Sequence, residues 1–196
     1  MGGAATTESK ETAATLTRSV LGQEMSFEAA FEFLLEEHFA PDEESGASQL
    51  WIGSVGYECF RDNGTFADVL AEHGVERLID VRDLPISRKR GFAKTALSKA
   101  LSERRIEYVH AKPLGNPKPF RDLYKSGRAD LGRVKYEQYL LGEQRQALAE
   151  LSSMLAEKRS VLMCVEDDEA VCHRAVIIDA LVSELGMDVE VSPLRG

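Results

Sequence analysis

Between Leu50 and Val191 short apolar runs alternate with amphipathic stretches of helical period. That alternation restricts the chain to an α/β architecture, a mainly parallel sheet flanked by helices. Leu50-Trp51-Ile52-Gly53, Arg77 to Arg82, Ile106 to His110, Val161 to Glu166 and Asp188 to Val191 read as strands. Helices are expected around Phe66, Val69 and Leu70, where Thr65 with Asp68 resembles a capping box and Gly74 a stop, and from Ala93 to Arg104. A long helix is expected within Val134 to Lys158, with Leu148, Leu151 and Leu155 on one stripe. Another carries Val176, Ile177, Ala180, Leu181 and Leu185 up to Gly186. A chain of 196 residues with 43% hydrophobic content is long enough for one well-buried domain plus an accessory element.

The domain is expected to span 49–196. Residues 1–25 are small and polar and read as a disordered tail. Residues 26–48 read as an extra N-terminal helix and an acidic linker. Ser26 is its cap, Phe27, Ala30, Phe31, Leu34, Leu35 and His38 follow the helical rule, and Ala40-Pro41 ends the pattern. Such a Phe-rich stripe packs either on its own domain or on another chain, so oligomerisation through this helix is one expectation. Three cysteines, an odd and small number, argue against a disulfide framework and for a reducing, cytoplasmic setting. No stretch approaches the roughly 20 apolar residues of a membrane span, and no membrane partner is expected.

Charge is distributed unevenly. The formal net charge is -9, yet Arg82 to Lys135 holds 15 Lys and Arg against 5 Asp and Glu, a local +10 that leaves -19 for the remainder. A basic field of this size attracts phosphate or nucleic acid if its charges gather in space; scattered over the surface, they are an ordinary solvated face.

The strongest chemical signal is Cys164-Val165-Glu166 followed by Cys172-His173-Arg174. The strand before it and the helix after it place two thiols, a carboxylate, an imidazole and a guanidinium at the carboxyl end of a strand, where ligands bind in open α/β sheets. The Arg82-to-Arg90 loop, with Ser87 and Arg88, also follows a strand, so both loops are expected on one sheet edge. Guanidinium forks suit phosphate or carboxylate, and a helix N-terminus beside His173 adds backbone donors. The competing use of the same groups is structural: Asp80 with Arg82, or Glu166 with Arg88, as loop-steadying ion pairs.

These residues carry a family resemblance. Gly56-Tyr57-Glu58, Ile79-Asp80-Val81-Arg82, Pro85, Ser87-Arg88, Phe92, Tyr108-Val109-His110, Leu114-Gly115 and the two cysteine motifs fall in the order of the Domain of Unknown Function 488 family. From Ile52 to Pro193 the chain resembles that family, which implies an α/β fold and a pocket built from the Arg82-to-Arg88 loop and the cysteine motifs. The resemblance supplies no reaction and no cofactor.

Two function classes follow. One is an enzyme acting on an anionic, phosphate-bearing or nucleotide-like substrate, with Cys164 and Glu166 as catalytic candidates and Arg82, Ser87, Arg88, Cys172, His173 and Arg174 as substrate-binding candidates. The other is a nucleic-acid or protein-binding module using the basic segment 82–135. Cys164 is either a nucleophile or a packing residue beside a general acid/base Glu166. Metal ligation by Cys164, Glu166, Cys172 and His173 is disfavoured, because neighbouring residues on a helix point apart and no C-x-x-C knuckle accompanies them, so no metal is expected.

Overall fold

The computed structural model describes residues 50–186 and 188–195. The expected tail, accessory helix and acidic linker lie outside the described residues. Strand β1 (Leu50–Gly56) is followed by α1 (Asn63–Glu72), β2 (Arg77–Asp80), α2 (Lys94–Ser102) and β3 (Glu107–His110). Then come α3 (Lys118–Lys125), α4 (Ala129–Glu143), α5 (Arg145–Glu157), β4 (Ser160–Cys164), α6 (His173–Leu185) and β5 (Val189–Leu194). Short 3₁₀ turns at Lys112–Leu114 and Glu169–Val171 complete the connections.

The five strands pair in parallel in the order β3-β2-β4-β1-β5. Every residue of Ser160–Cys164 is buried, as a parallel strand covered on both faces requires. Period-two alternation sends neighbouring residues into opposite cores. Leu78, Val161 and Met163 pack with Phe66, Leu70, Leu97 and Leu101 of α1 and α2. Ile79, Leu162 and Cys164 pack with Tyr136, Leu148, Leu151 and Ile177 of α4, α5 and α6. The fold is therefore α/β and doubly wound.

From β2 the chain leaves outward to β3, whereas from β4 it leaves in the opposite direction to β5. Adjacent strands with diverging exits open a crevice at their carboxyl ends, so the strand order itself locates a binding cleft between β2 and β4.

Two local expectations need correcting. Helix α1 is capped by Asp62, not by Thr65: Asp62 is extended (φ -149°, ψ 169°), and its carboxylate accepts the Thr65 N–H at 2.8 Å. That bond, with Arg61 alongside, holds the Asp62 carboxyl down to about 2. Asp68 instead pairs with Arg104 at 2.8 Å. The long helix expected within Val134 to Lys158 is two helices that meet at Gln144 (φ -114°, ψ 17°), two residues after Gly142, whose backbone freedom weakens the helix there.

At the end of β2 a buried ion pair ties the loop to the sheet. Asp80 is fully buried; its Oδ1 accepts from Arg82 Nε at 2.8 Å, and its Oδ2 from Arg82 Nη2 at 2.5 Å and Tyr108 Oη at 2.6 Å. Arg82 Nη1 donates to the Phe92 carbonyl at 2.9 Å, and the guanidinium lies 5.2 Å from the centre of the Tyr57 ring. His110 Nε2 donates to the Arg82 carbonyl at 2.8 Å. Burial alone would lower the Arg82 pKa, but Asp80 raises it. Removing one partner leaves an uncompensated buried charge. Asp80→Asn is therefore expected to lose about 3–5 kcal/mol in urea unfolding, with partial recovery in Asp80→Asn/Arg82→Met. A loss below about 1 kcal/mol, the range of an exposed pair, would contradict this role.

Candidate active site

The β2–β4 crevice is a cavity of about 400 Å³, within the size range of small-molecule sites. The loop after β2 contributes Arg82, Asp83, Leu84 and Ile86, the segment from Asn116 through α3 contributes Arg121, Tyr124 and Lys125, and the β4–α6 connection contributes Cys164 to Glu166 and Val171 to His173. Two glycines let these walls approach. A Cβ on Gly56 would stand 1.9 Å from the Glu166 carbonyl oxygen, and one on Gly115 would stand 2.4 Å from Asp83 Cα. With no side chain at Gly56, the chain after β1 continues the ladder: Tyr57 N–H donates to the Cys164 carbonyl at 3.2 Å and Glu58 N–H to the Val165 carbonyl at 3.1 Å.

The floor is a cluster of soft and titratable atoms. Cys164 Sγ lies 3.1 Å from Glu166 Oε2 and 3.7 Å from His173 Nδ1, and Cys172 Sγ lies 3.8 Å from the same nitrogen. His173 Nε2 is 2.8 Å from the Val81 carbonyl, an obligate acceptor, so Nε2 carries the hydrogen and Nδ1 faces the sulfurs. Arg174 Nε donates to Cys172 Sγ at 3.3 Å and Nη2 to the Glu166 carbonyl at 2.6 Å. Cys172 is the N-cap of α6, extended at φ -110° and ψ 147°. It is not part of the helix, so its side chain converges with that of His173 where the sequence argument had the two diverging.

The two thiols differ electrostatically. Hydrogen bonding to Cys172 and burial push the Cys164 thiol well above its ordinary value. Burial also opposes ionisation of Cys172, but hydrogen bonds with Cys164 and His173 and the charge of Arg174 hold it well below. Burial raises the Glu166 carboxyl. Cys172 is thus the more acidic thiol of the pair.

The sequence-selected residues divide by position. Cys164, Glu166, Cys172, His173 and Arg82 line one cavity. Arg82 is 4% exposed, and its guanidinium is engaged by Asp80 and by the Phe92 and Ile86 carbonyls. Arg174 is 1% exposed and lies behind the floor. Ser87 and Arg88 line an adjoining groove with Tyr57, Glu58 and Lys89, where Ser87 Oγ receives the Tyr57 hydroxyl at 3.1 Å. The pairing of Asp80 with Arg82 weighed from sequence is present.

Sequence reasoning missed Asn116, Arg121, Tyr124 and Lys125. They belong to or adjoin α3, a two-turn helix with no fully buried residue, signalled by Pro117-Lys118-Pro119 at its start and by the spacing of Phe120, Leu123 and Tyr124. Among the described residues, the Asn116 Oδ1 and Tyr124 Oη atoms are buried without a hydrogen-bond partner, and burial pushes the Tyr124 phenol up to about 12.

Gly56→Ala is expected to lower stability by about 1–3 kcal/mol through overpacking and to speed the reaction of Cys164 with a thiol reagent as the Glu166 segment shifts. Unchanged stability and reactivity would contradict the close approach.

No helix among the described residues is long and apolar enough to cross a membrane. No curated protein and no solved structure matches the chain. Residues 63–181 match the model of the domain of unknown function DUF488, a stretch that begins after Gly56-Tyr57-Glu58 and includes the Asp80–Arg82 loop and both cysteine motifs. The match covers well over half of the 196 residues, and the chain belongs to the DUF488 family.

Proposed function

We propose that this protein is an enzyme that binds a small phosphate-bearing or nucleotide-like anion between β2 and β4 and acts on it at the Cys164, Glu166 and Cys172 floor. The observation that carries the reading is the pair of wall atoms left without a partner among the described residues, Asn116 Oδ1 and Tyr124 Oη. A buried polar group without a partner costs about 1–3 kcal/mol, and a ligand that completes it recovers that penalty. Asn116 Oδ1 requires a donor, whereas the Tyr124 phenol supplies one.

The surrounding groups extend the description of the ligand. Lys125 and Arg121, the latter paired with Asp83 at 3.1 Å, stand in the same wall, and Leu84, Ile86 and Val171 are large apolar side chains left exposed around the cavity. A molecule with an anionic group, a polar donor and an apolar or planar body satisfies all three. Ile86, Lys125 and Val165 also line the Ser87–Arg88 groove, which gives a longer anion a continuous path. In this reading Glu166 holds or moves a proton at the reacting group, Arg82 positions the loop that forms one wall, and Arg174 positions Cys172 and the Glu166 backbone.

The binding-module alternative has less support. Within the basic segment, Lys89 binds the Tyr57 and Glu58 carbonyls, Arg82 pairs with Asp80, Arg104 with Asp68 and Lys118 with Asp122. Part of the local charge is directed into the domain's own surface.

The test is calorimetric titration of the full chain with inorganic phosphate and with nucleoside monophosphates. Arg121→Ala and Lys125→Ala are each expected to weaken binding by about 10-fold, the effect of one charge-assisted hydrogen bond, and Tyr124→Phe to weaken it without loss of stability. Unaltered affinity in all three variants would overturn this site. Binding restricted to long polyanions, with steep salt dependence, would favour the alternative.

A further inference from the structure

The cleft floor has the donor set and spacing of a metal centre. Cys164 Sγ, Cys172 Sγ and His173 Nδ1 lie within 4.8 Å of one another, and the two sulfur-to-nitrogen distances are 3.7 and 3.8 Å. Tetrahedral zinc, with Zn–S near 2.3 Å and Zn–N near 2.0–2.1 Å, separates sulfur and nitrogen ligands by about 3.6 Å. The two sulfur-to-nitrogen distances therefore need only tenths of an ångström of adjustment, and the sulfurs, within 4.8 Å of each other, would sit about 3.8 Å apart around one ion.

The outer contacts fit the same purpose. A metal-binding histidine generally donates its other ring N–H to a carbonyl or carboxylate, which turns the remaining lone pair to the ion. His173 does so through Nε2 to Val81 at 2.8 Å. The Arg174 Nε–H points at Cys172 Sγ at 3.3 Å, the contact that orients a ligating thiolate. Charge also balances in a buried place: a dication offsets two thiolates, and Arg174 offsets Glu166. All three ligands are nearly fully buried yet border the cleft, which supplies an entry path.

We infer that Cys164, Cys172 and His173 bind a thiophilic divalent cation, zinc by preference, with the fourth position facing the cleft beside Glu166. Two sulfurs and an imidazole suit zinc and exclude the hard cations magnesium and calcium. Three protein ligands with one open position form the pattern of a catalytic site rather than a structural one. The metal's role, though not its binding, rests on the enzyme reading above: an ion there polarises an oxygen of the anionic substrate as a Lewis acid.

The experiment uses the full chain purified without an affinity tag, stripped with a chelator and titrated with cobalt(II) or zinc(II). One equivalent of cobalt is expected to give tetrahedral visible bands and a thiolate-to-cobalt charge-transfer band. Zinc should displace it and slow the reaction of a thiol reagent with Cys164 and Cys172, while exposed Cys59 reacts as before. Cys172→Ser and His173→Gln should each lower zinc affinity by about 100-fold or more. Because these buried substitutions risk the fold, the wild-type cobalt spectrum decides independently. An octahedral spectrum without sulfur charge transfer, no uptake, or uptake unchanged in folded ligand variants would overturn the inference. Metal binding without anion binding would leave the centre standing and remove the enzyme reading; anion binding without metal would do the reverse.

Discussion

The Asp80–Arg82 pair is the constraint on which the rest of the cleft depends. A fully buried carboxylate at the end of a central strand is tolerated only with a counter-charge and hydrogen bonds, and Arg82 supplies both by folding back over its own loop. The same guanidinium holds the Phe92 and Ile86 carbonyls, which sets the path of the loop that forms one wall. Tyr108 and His110 bring in the end of β3, and Tyr57, stacked on Phe92 at 4.6 Å, brings in the end of β1. The carboxyl ends of three strands are thereby locked around one charge pair.

The residues that carry the family resemblance separate into two sets on this basis. Tyr57, Asp80, Arg82, Phe92, Tyr108 and His110 form the supporting network, while Gly56 and Gly115 admit backbone at distances no side chain allows. Cys164, Glu166, Cys172 and His173 form the floor. A motif residue near a cleft need not touch a ligand: Arg82 lines the cavity, yet its hydrogen-bonding capacity is directed inward. Other cations lining the cavity come from Arg121 and Lys125, which the motifs do not include.

Much of the fold was legible because apolar periodicity reports burial directly. The wholly buried strand at Val161–Cys164, the stripe of Leu148, Leu151 and Leu155, and the stop at Gly186 all appear in the sequence as they do in space. The rule that loops of a parallel sheet leave on one edge also sufficed to bring the Arg82 loop and the cysteine motifs to one cavity. Three features were not legible, each for a physical reason. Helix α3 spans only eight residues, and its apolar positions Phe120, Leu123 and Tyr124 are half-buried, too short a pattern to stand out in a strongly basic segment. The break at Gln144 depends on backbone angles inside a continuous helical pattern. The convergence of Cys172 and His173 depends on Cys172 standing one residue outside α6, a boundary that periodicity does not resolve.

The most direct measurement is an anomalous difference map at the zinc absorption edge, from crystals of the full chain grown with zinc and soaked with a nucleoside monophosphate. One peak bonded to Cys164 Sγ, Cys172 Sγ and His173 Nδ1 at about 2.0–2.3 Å is expected, with the phosphate against Arg121 and Lys125. No peak at the floor, or a phosphate bound elsewhere while the cleft holds only water, would contradict it.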